Sequence, residues 1–154
     1  MTCVVQRVSS SHVQVDGKIV GEIQKGFNIL LGIKKGDNSK DIDSLVEKII
    51  HLRVFQDQNN KMNLSLLDVN GEVLVISQFT LAANLKRGRR PSFDSSEHPE
   101  KAKQLYEMFL ESISSKGVVT QSGVFGATMD VEIHNDGPVT FVLDSHELYK
   151  EENV

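Results

Sequence analysis

The sequence predicts an α+β fold in which a mixed or antiparallel, barrel-like β-sheet carries two main helices, all in a single domain spanning residues 1–154. Three observations carry this expectation. Alternating, Val-rich residues at the start are followed by a turn signal and a partner run, which is the pattern of an early hairpin. Two well-separated segments place apolar residues at helical spacing. The rest reads as short strands, about eight in all, with no repeat, low-complexity tract or linker to divide the chain.

Composition agrees with one globular unit. The chain has 154 residues, 39% apolar and 25% charged, with 11 Gly and 3 Pro, which suits a buried core and argues against disorder. No apolar run approaches the roughly 18–20 residues that cross a bilayer. The start lacks a basic head followed by a long apolar stretch, so no signal peptide is expected and the expected location is the cytoplasm. The one cysteine, Cys3, has no internal disulfide partner and reads as a small buried strand residue. A formal charge of −4 and a pI near 5.7 exclude a general nucleic-acid binder, so no DNA contact is expected and any RNA contact must be local.

Thr2 to Val15 reads as a strand, Asp16-Gly17 as a hairpin turn whose residues tolerate positive φ, and Lys18 to Ile23 as the partner strand. Phe27 to Ile33 is a continuous apolar run between Gly26 and Lys34-Lys35-Gly36, as in a buried strand. Ile42, Leu45, Val46, Ile49 and Ile50 share one helical face, with Asn38 or Ser39 placed to cap it. Val54-Phe55 and Met62 to Leu66 flank an Asn59-Asn60 turn, Asp68 to Gly71 is another turn, and Glu72 to Ser77 is a strong strand. Leu85 to Ser96 is a polar loop. A second helix starts near Pro99 and carries Ala102, Leu105, Tyr106, Phe109, Leu110 and Ile113 on one face before Gly117 closes it. Val118 to Ser122, Met129 to Asn135 and Thr140 to Asp144 read as late strands, and 145–154 as a charged tail.

Familiar catalytic signatures are absent. The sequence has no Walker loop, GxGxxG, HExxH, CxxC or G-x-S-x-G. Its five histidines (12, 51, 98, 134 and 146) are scattered without metal-ligand spacing, so no metal is expected. Two segments nevertheless stand out. Ser77-Gln78-Phe79-Thr80-Leu81 gathers two hydroxyls and an amide where a buried strand yields to a polar loop. Those groups serve equally well to satisfy the backbone of a strand end. Asn135-Asp136-Gly137-Pro138-Val139-Thr140 reads as a turn between two strands. It also contains a Gly-Pro bond, which can be cis, and a glycine, which admits close approach.

In order along the chain, these segments match every fixed position of the SQxTL and NxGPxT signatures and resemble those of the D-aminoacyl-tRNA deacylases. Val5-Gln6-Arg7-Val8, Leu30-Leu31-Gly32-Ile33, Leu52-Arg53-Val54-Phe55 and Phe125-Gly126-Ala127-Thr128-Met129 match further stretches, so the resemblance covers essentially the whole chain. It implies an editing hydrolase that cleaves the ester of D-aminoacyl-tRNA, and of mischarged glycyl-tRNA, in a homodimer without metal or cofactor. It implies a cis Gly137–Pro138 bond that enters the other subunit's active site and rejects an L-residue by meeting its Cβ. Ser77, Gln78, Phe79 and Thr80 would form that active site, with Arg7, Asn135 and Thr140 supporting the Gly-Pro motif. Phe125 and Met129 would shape a pocket for the terminal adenine, although an aromatic and a thioether suit a plain core equally well. Catalysis would be assisted by the RNA 2′-OH, with backbone N–H groups near Phe79 and Thr80 holding the oxyanion. No base stands beside Thr80 in sequence to activate it as a nucleophile. Lys86, Arg87, Arg89 and Arg90 would hold tRNA phosphates or else form a solvated loop. Three alternatives stay open. One is a same-fold deacylase that proofreads L-alanyl-tRNA, which typically departs from the Ser that is present at position 77. The others are a non-catalytic RNA-binding module and a structural oligomer with no substrate.

Overall fold

A strand of 14 residues, Thr2–Val15 (β1), organises the sheet, because it is long enough to be paired on both edges. The computed structural model describes residues 1–149. On one edge of β1 lie Lys18–Ile23 (β2), opposite Ser11 to Val15, and Gly26–Gly32 (β3), opposite Thr2 to Val8. The β1–β2 turn places both Asp16 and Gly17 at positive φ, 49° and 75°, as a two-residue hairpin matched to strand twist requires. The other edge pairs with Asp130–Asp144, here β8. Beyond β3, Glu72–Ser77 (β6) runs parallel to β3, and Thr120–Ser122 (β7) runs parallel to β6. The order β2-β1-β3-β6-β7, with β8 on β1, makes the sheet mixed. Gly21 of β2 lies against the Ser122 carbonyl of β7, so the sheet curls towards closure. Phe55–Gln56 (β4) and Met62–Leu64 (β5) form a separate small antiparallel pair.

Two helices cover one face of the sheet. Ser39–His51 (α1) buries Ile42, Leu45, Val46, Ile49 and Ile50, the face that the spacing predicts. Asn38 caps it by accepting the Lys40 N–H, and the Asp41 carboxylate accepts the Asn38 N–H in return. Pro99–Ser115 (α2) begins with proline, which has no N–H to leave unpaired, and buries Ala102, Leu105, Tyr106, Phe109 and Ile113. These faces share a core with Val5, Phe27, Ile29, Leu31, Val73 and Val75. The opposite side of the curled sheet closes over Val8, Val13, Ile23, Leu74 and Ile76.

The late chain differs from the expectation in three places. The strand expected over 118–122 is shorter, since only 120–122 have a partner in β6. The segments 129–135 and 140–144 are not two strands joined by a turn. They are parts of one strand, β8, because the whole length of β1 is available to pair with both. Gln6 faces Thr140 and Val8 faces Asn135, so Asp136 to Val139 bulge out opposite the single residue Arg7. The expected charged tail is not a tail at its start. Ser145–Tyr149 is a short helix (α3), and Ser145 is buried because its N–H donates to the Met1 carbonyl and its hydroxyl to Asp41. Residues 150–154 of that expectation lie outside the described residues.

Candidate active site

The Ser77–Leu81 segment gets its shape from β3. Ser77 ends β6 opposite Leu31, and the Gln78 N–H then donates to the Leu31 carbonyl at 2.8 Å. The chain does not continue as a strand; Phe79–Ala82 is a 3-10 turn. Gly32 permits this closure, since a Cβ there would lie 2.7 Å from Leu81 Cβ and 3.1 Å from the Gln78 carbonyl. In a strand Gln78 and Thr80 would merely share a face. The turn instead brings the Gln78 amide to donate to the Thr80 hydroxyl at 2.6 Å. No side chain caps the turn, and the first N–H groups of a helical turn have no acceptor within it. The backbone N–H groups of Phe79 and Thr80 therefore have no acceptor within the turn.

A cavity of about 460 Å³ opens beside this turn. Ser77, Gln78 and Phe79 line it, as do Phe125 and Met129, joined by Ala102 from α2. Thr80 does not line it and adjoins it through Gln78. The Phe125 ring packs 5.6 Å from Tyr106, whose hydroxyl donates to the Val75 carbonyl at 2.8 Å. Burial pushes the Tyr106 phenol up to about 12, so it remains a neutral donor that fixes the ring behind Phe125. Among the described residues the wall is chiefly apolar, with side-chain hydroxyl and amide groups confined to Ser77, Gln78 and Ser96. That division suits a ligand that is held mainly by apolar contact and oriented by a few polar groups.

The β8 bulge forms a second constellation. The buried Arg7 guanidinium donates from Nη1 to the Val54 carbonyl at 2.6 Å and from Nε to the Asp136 carbonyl at 3.0 Å. Asn135 closes the bulge from within. Its Oδ1 accepts the Val139 N–H at 2.8 Å, and its Nδ2 donates to the Thr140 hydroxyl at 2.9 Å. Gly137–Pro138 is a cis peptide bond, and both residues are exposed. Gly137 has φ +141°, and a Cβ there would fall 2.6 Å from Val139 Cγ2 and 2.8 Å from Val139 N. Neither residue lines the cavity of its own chain.

Lys86 to Arg90 are all exposed. Their loop is pinned at its root by paired backbone bonds between Asn84 and Ser92, and the next residue, Phe93, packs its ring 5.0 Å from Phe79. The structure thus brings the basic loop to the turn but leaves its cations outside the cavity.

Three positions escaped the sequence reading. Glu97 is the one ionisable residue among the described residues that line the cavity. The His98 N–H and the Lys101 ammonium hold its carboxyl below the usual range. Ala102 was visible only as core, although a small residue on a bulky helical face is a signal of nearby space. Phe93 lay in a loop read as polar. The structure also gathers Asp37, Asp41 and His146 within 4.8 Å. The carboxylates already accept the Met1 ammonium, the Ser145 hydroxyl and the N–H groups of Lys34 and Asn38, so the cluster anchors Met1 and the starts of α1 and α3.

The profile of the family described as D-Tyr-tRNA(Tyr) deacylase matches residues 4–144. A D-aminoacyl-tRNA deacylase of Sulfurihydrogenibium sp. is 62% identical over 148 residues, covering 96% of this chain and 100% of the relative. One of Aquifex aeolicus is 53% identical with the same coverage. Among solved structures, the c-Myc DNA Unwinding Element Binding Protein superposes with a TM-score of 0.88 at 40% identity, covering 94% of this chain and 98% of its own. A probable eukaryotic D-amino acid tRNA deacylase superposes at 0.80 over 94% of this chain and 100% of its own; at 18% identity it shows the shared fold alone.

Proposed function

Because the chain belongs to the D-Tyr-tRNA(Tyr) deacylase family, we propose that it hydrolyses D-aminoacyl-tRNA, working in the cytoplasm as a homodimer whose two active sites are each completed by the other subunit. The terminal adenine enters beside Phe125 and Met129, and the ester carbonyl rests against the backbone of Phe79 and Thr80. Water adds to the carbonyl carbon, the RNA 2′-OH helps to activate it, and the N–H donors hold the developing oxyanion. The ester C–O bond then breaks, releasing the amino acid and the 3′-hydroxyl of the RNA. No metal or cofactor takes part. Thr80 is not the nucleophile in this account, since its hydroxyl faces an amide donor, which cannot take its proton.

One observation carries the cross-subunit reading. Gly137 and Pro138 are braced, exposed and outside the cavity of their own chain. A rigid backbone wall supplied by a second subunit leaves no room for an L-residue's Cβ, whereas a D-residue or glycine escapes it. Mischarged glycyl-tRNA is therefore a second substrate. Ser77 at the head of the first motif favours this reading over L-alanyl-tRNA proofreading. The intact site favours it over a non-catalytic RNA-binding module.

Mixed dimers test the arrangement. Gly137→Ala disables the wall, and Ala102→Phe blocks the cavity. Each homodimer should be inactive. Equal mixing after subunit exchange should restore about a quarter of wild-type activity, because half the dimers pair the two variants and each of those has one complete site. No recovery despite proven exchange would place the wall and cavity in the same subunit and overturn the arrangement.

A further inference from the structure

Phe79 and Phe93 form an aromatic pair that the mechanism above leaves half used. Their rings lie 5.0 Å apart, tilted by 58°, yet they are 57% and 38% exposed. Two exposed rings packed on each other form a local apolar patch, and an apolar patch rimmed by polar groups is a feature of binding sites. Phe79 borders the cavity and Phe93 does not. Directly before Phe93 stand Ser92 and the Asn84–Ser92 root of the basic loop, and the Phe93 carbonyl accepts the Ser96 N–H at 2.9 Å. The surface therefore runs from cavity to Phe79, to Phe93, to a loop with four cations and no acid between Asn84 and Phe93.

We propose that Phe93 is the stacking platform for the unpaired nucleotide that precedes the terminal adenosine of the RNA, with the loop cations holding the phosphates on its 5′ side. The inference rests on the aminoacyl-tRNA reading above and adds a subsite to it. Single-stranded nucleic acid is held where aromatic faces alternate with cations, because every base has a π-face and every linkage a phosphate. A strand leaving the cavity meets those groups in that order. A second copy of this chain suits the patch less well, since covering it would desolvate neighbouring cations without supplying the regular row of anions that RNA provides.

The test is a double-mutant cycle between protein and RNA. The probe is a short acceptor-stem hairpin ending in an adenosine that carries a non-hydrolysable D-aminoacyl amide. It is made with either a normal or an abasic nucleotide before that adenosine. Phe93→Ala should weaken binding of the normal probe about tenfold or more, the scale of one base–aromatic stack. The abasic probe should weaken wild-type binding similarly, and the two changes together should add nothing further. Phe93→Trp should bind the normal probe at least as well as wild type, which guards against a mere packing defect. Independent, additive losses or unchanged affinity would overturn the subsite. So would dissociation of the dimer by Phe93→Ala without coupling to the base, which would assign the ring to a second copy. Failure of wild type to bind the normal probe would instead bring down the aminoacyl-tRNA reading, and this inference with it.

Discussion

Arg7 shows how one side chain links distant segments to the site. Its planar fork reaches Val54 and Asp136 together, a geometry that a lysine's single ammonium does not reproduce. Arg7→Lys should slow single-turnover hydrolysis more than it weakens RNA binding, because it loosens the bulge and leaves the cavity intact. Equal effects on both would contradict this. Gly137→Ala should cost at least about 100-fold in rate, since a methyl group meets Val139 from a left-handed backbone position and displaces the wall by ångströms. Thr80→Ala should retain substantial activity; near-complete loss would restore Thr80 as nucleophile. Asp144 gives a pH prediction. Burial raises its carboxyl, but the Lys34 ammonium, the His146 N–H and the Thr2 hydroxyl outweigh that and hold it down at about 2. A folded-state value below the unfolded one stabilises the protein above roughly pH 4, and that stability disappears as pH falls towards 2. Melting temperatures measured across that range should drop steeply in wild type and less in Asp144→Asn. The candidate residues can be named from sequence because the two motifs are local strings. The Gln78–Thr80 contact was not, since it depends on a 3-10 turn that a reading of the segment as strand cannot reveal.

At the scale of elements, both main helices were readable with their faces, since each pairs strong periodicity with a capping signal. The cap itself is testable. Asn38→Ala removes a side-chain acceptor from the start of α1 and should destabilise the fold by about 1 kcal/mol in denaturant titration, with no change in RNA binding. The bulge in β8 was not readable. Asp-Gly-Pro is a turn signal wherever it occurs, and nothing near it says that β1 is long enough to hold the chain straight on both sides. The same distant pairing explains α3. Ser145 belongs to the fold because Met1 and Asp41, far away in sequence, supply its partners.

Over the whole molecule, the two motifs sit apart. The cavity lies beside the end of β6, and the braced Gly137–Pro138 bulge stands exposed on β8, followed along that strand by Val142 at 69% exposure. On the proposed function, a second subunit joins the two parts of the site, and a closed two-fold pair would complete both halves at once. Light scattering at micromolar concentration should give twice the 17.1 kDa chain mass; a fully active monomer would contradict the divided site. On the proposed function, a backbone wall at Gly137–Pro138 sets which ester stereochemistry is cleaved. Single-turnover deacylation of D- and L-tyrosyl-tRNA by wild type should show rapid cleavage of the D-ester and sparing of the L-ester, and equal rates on the two would overturn the chiral wall.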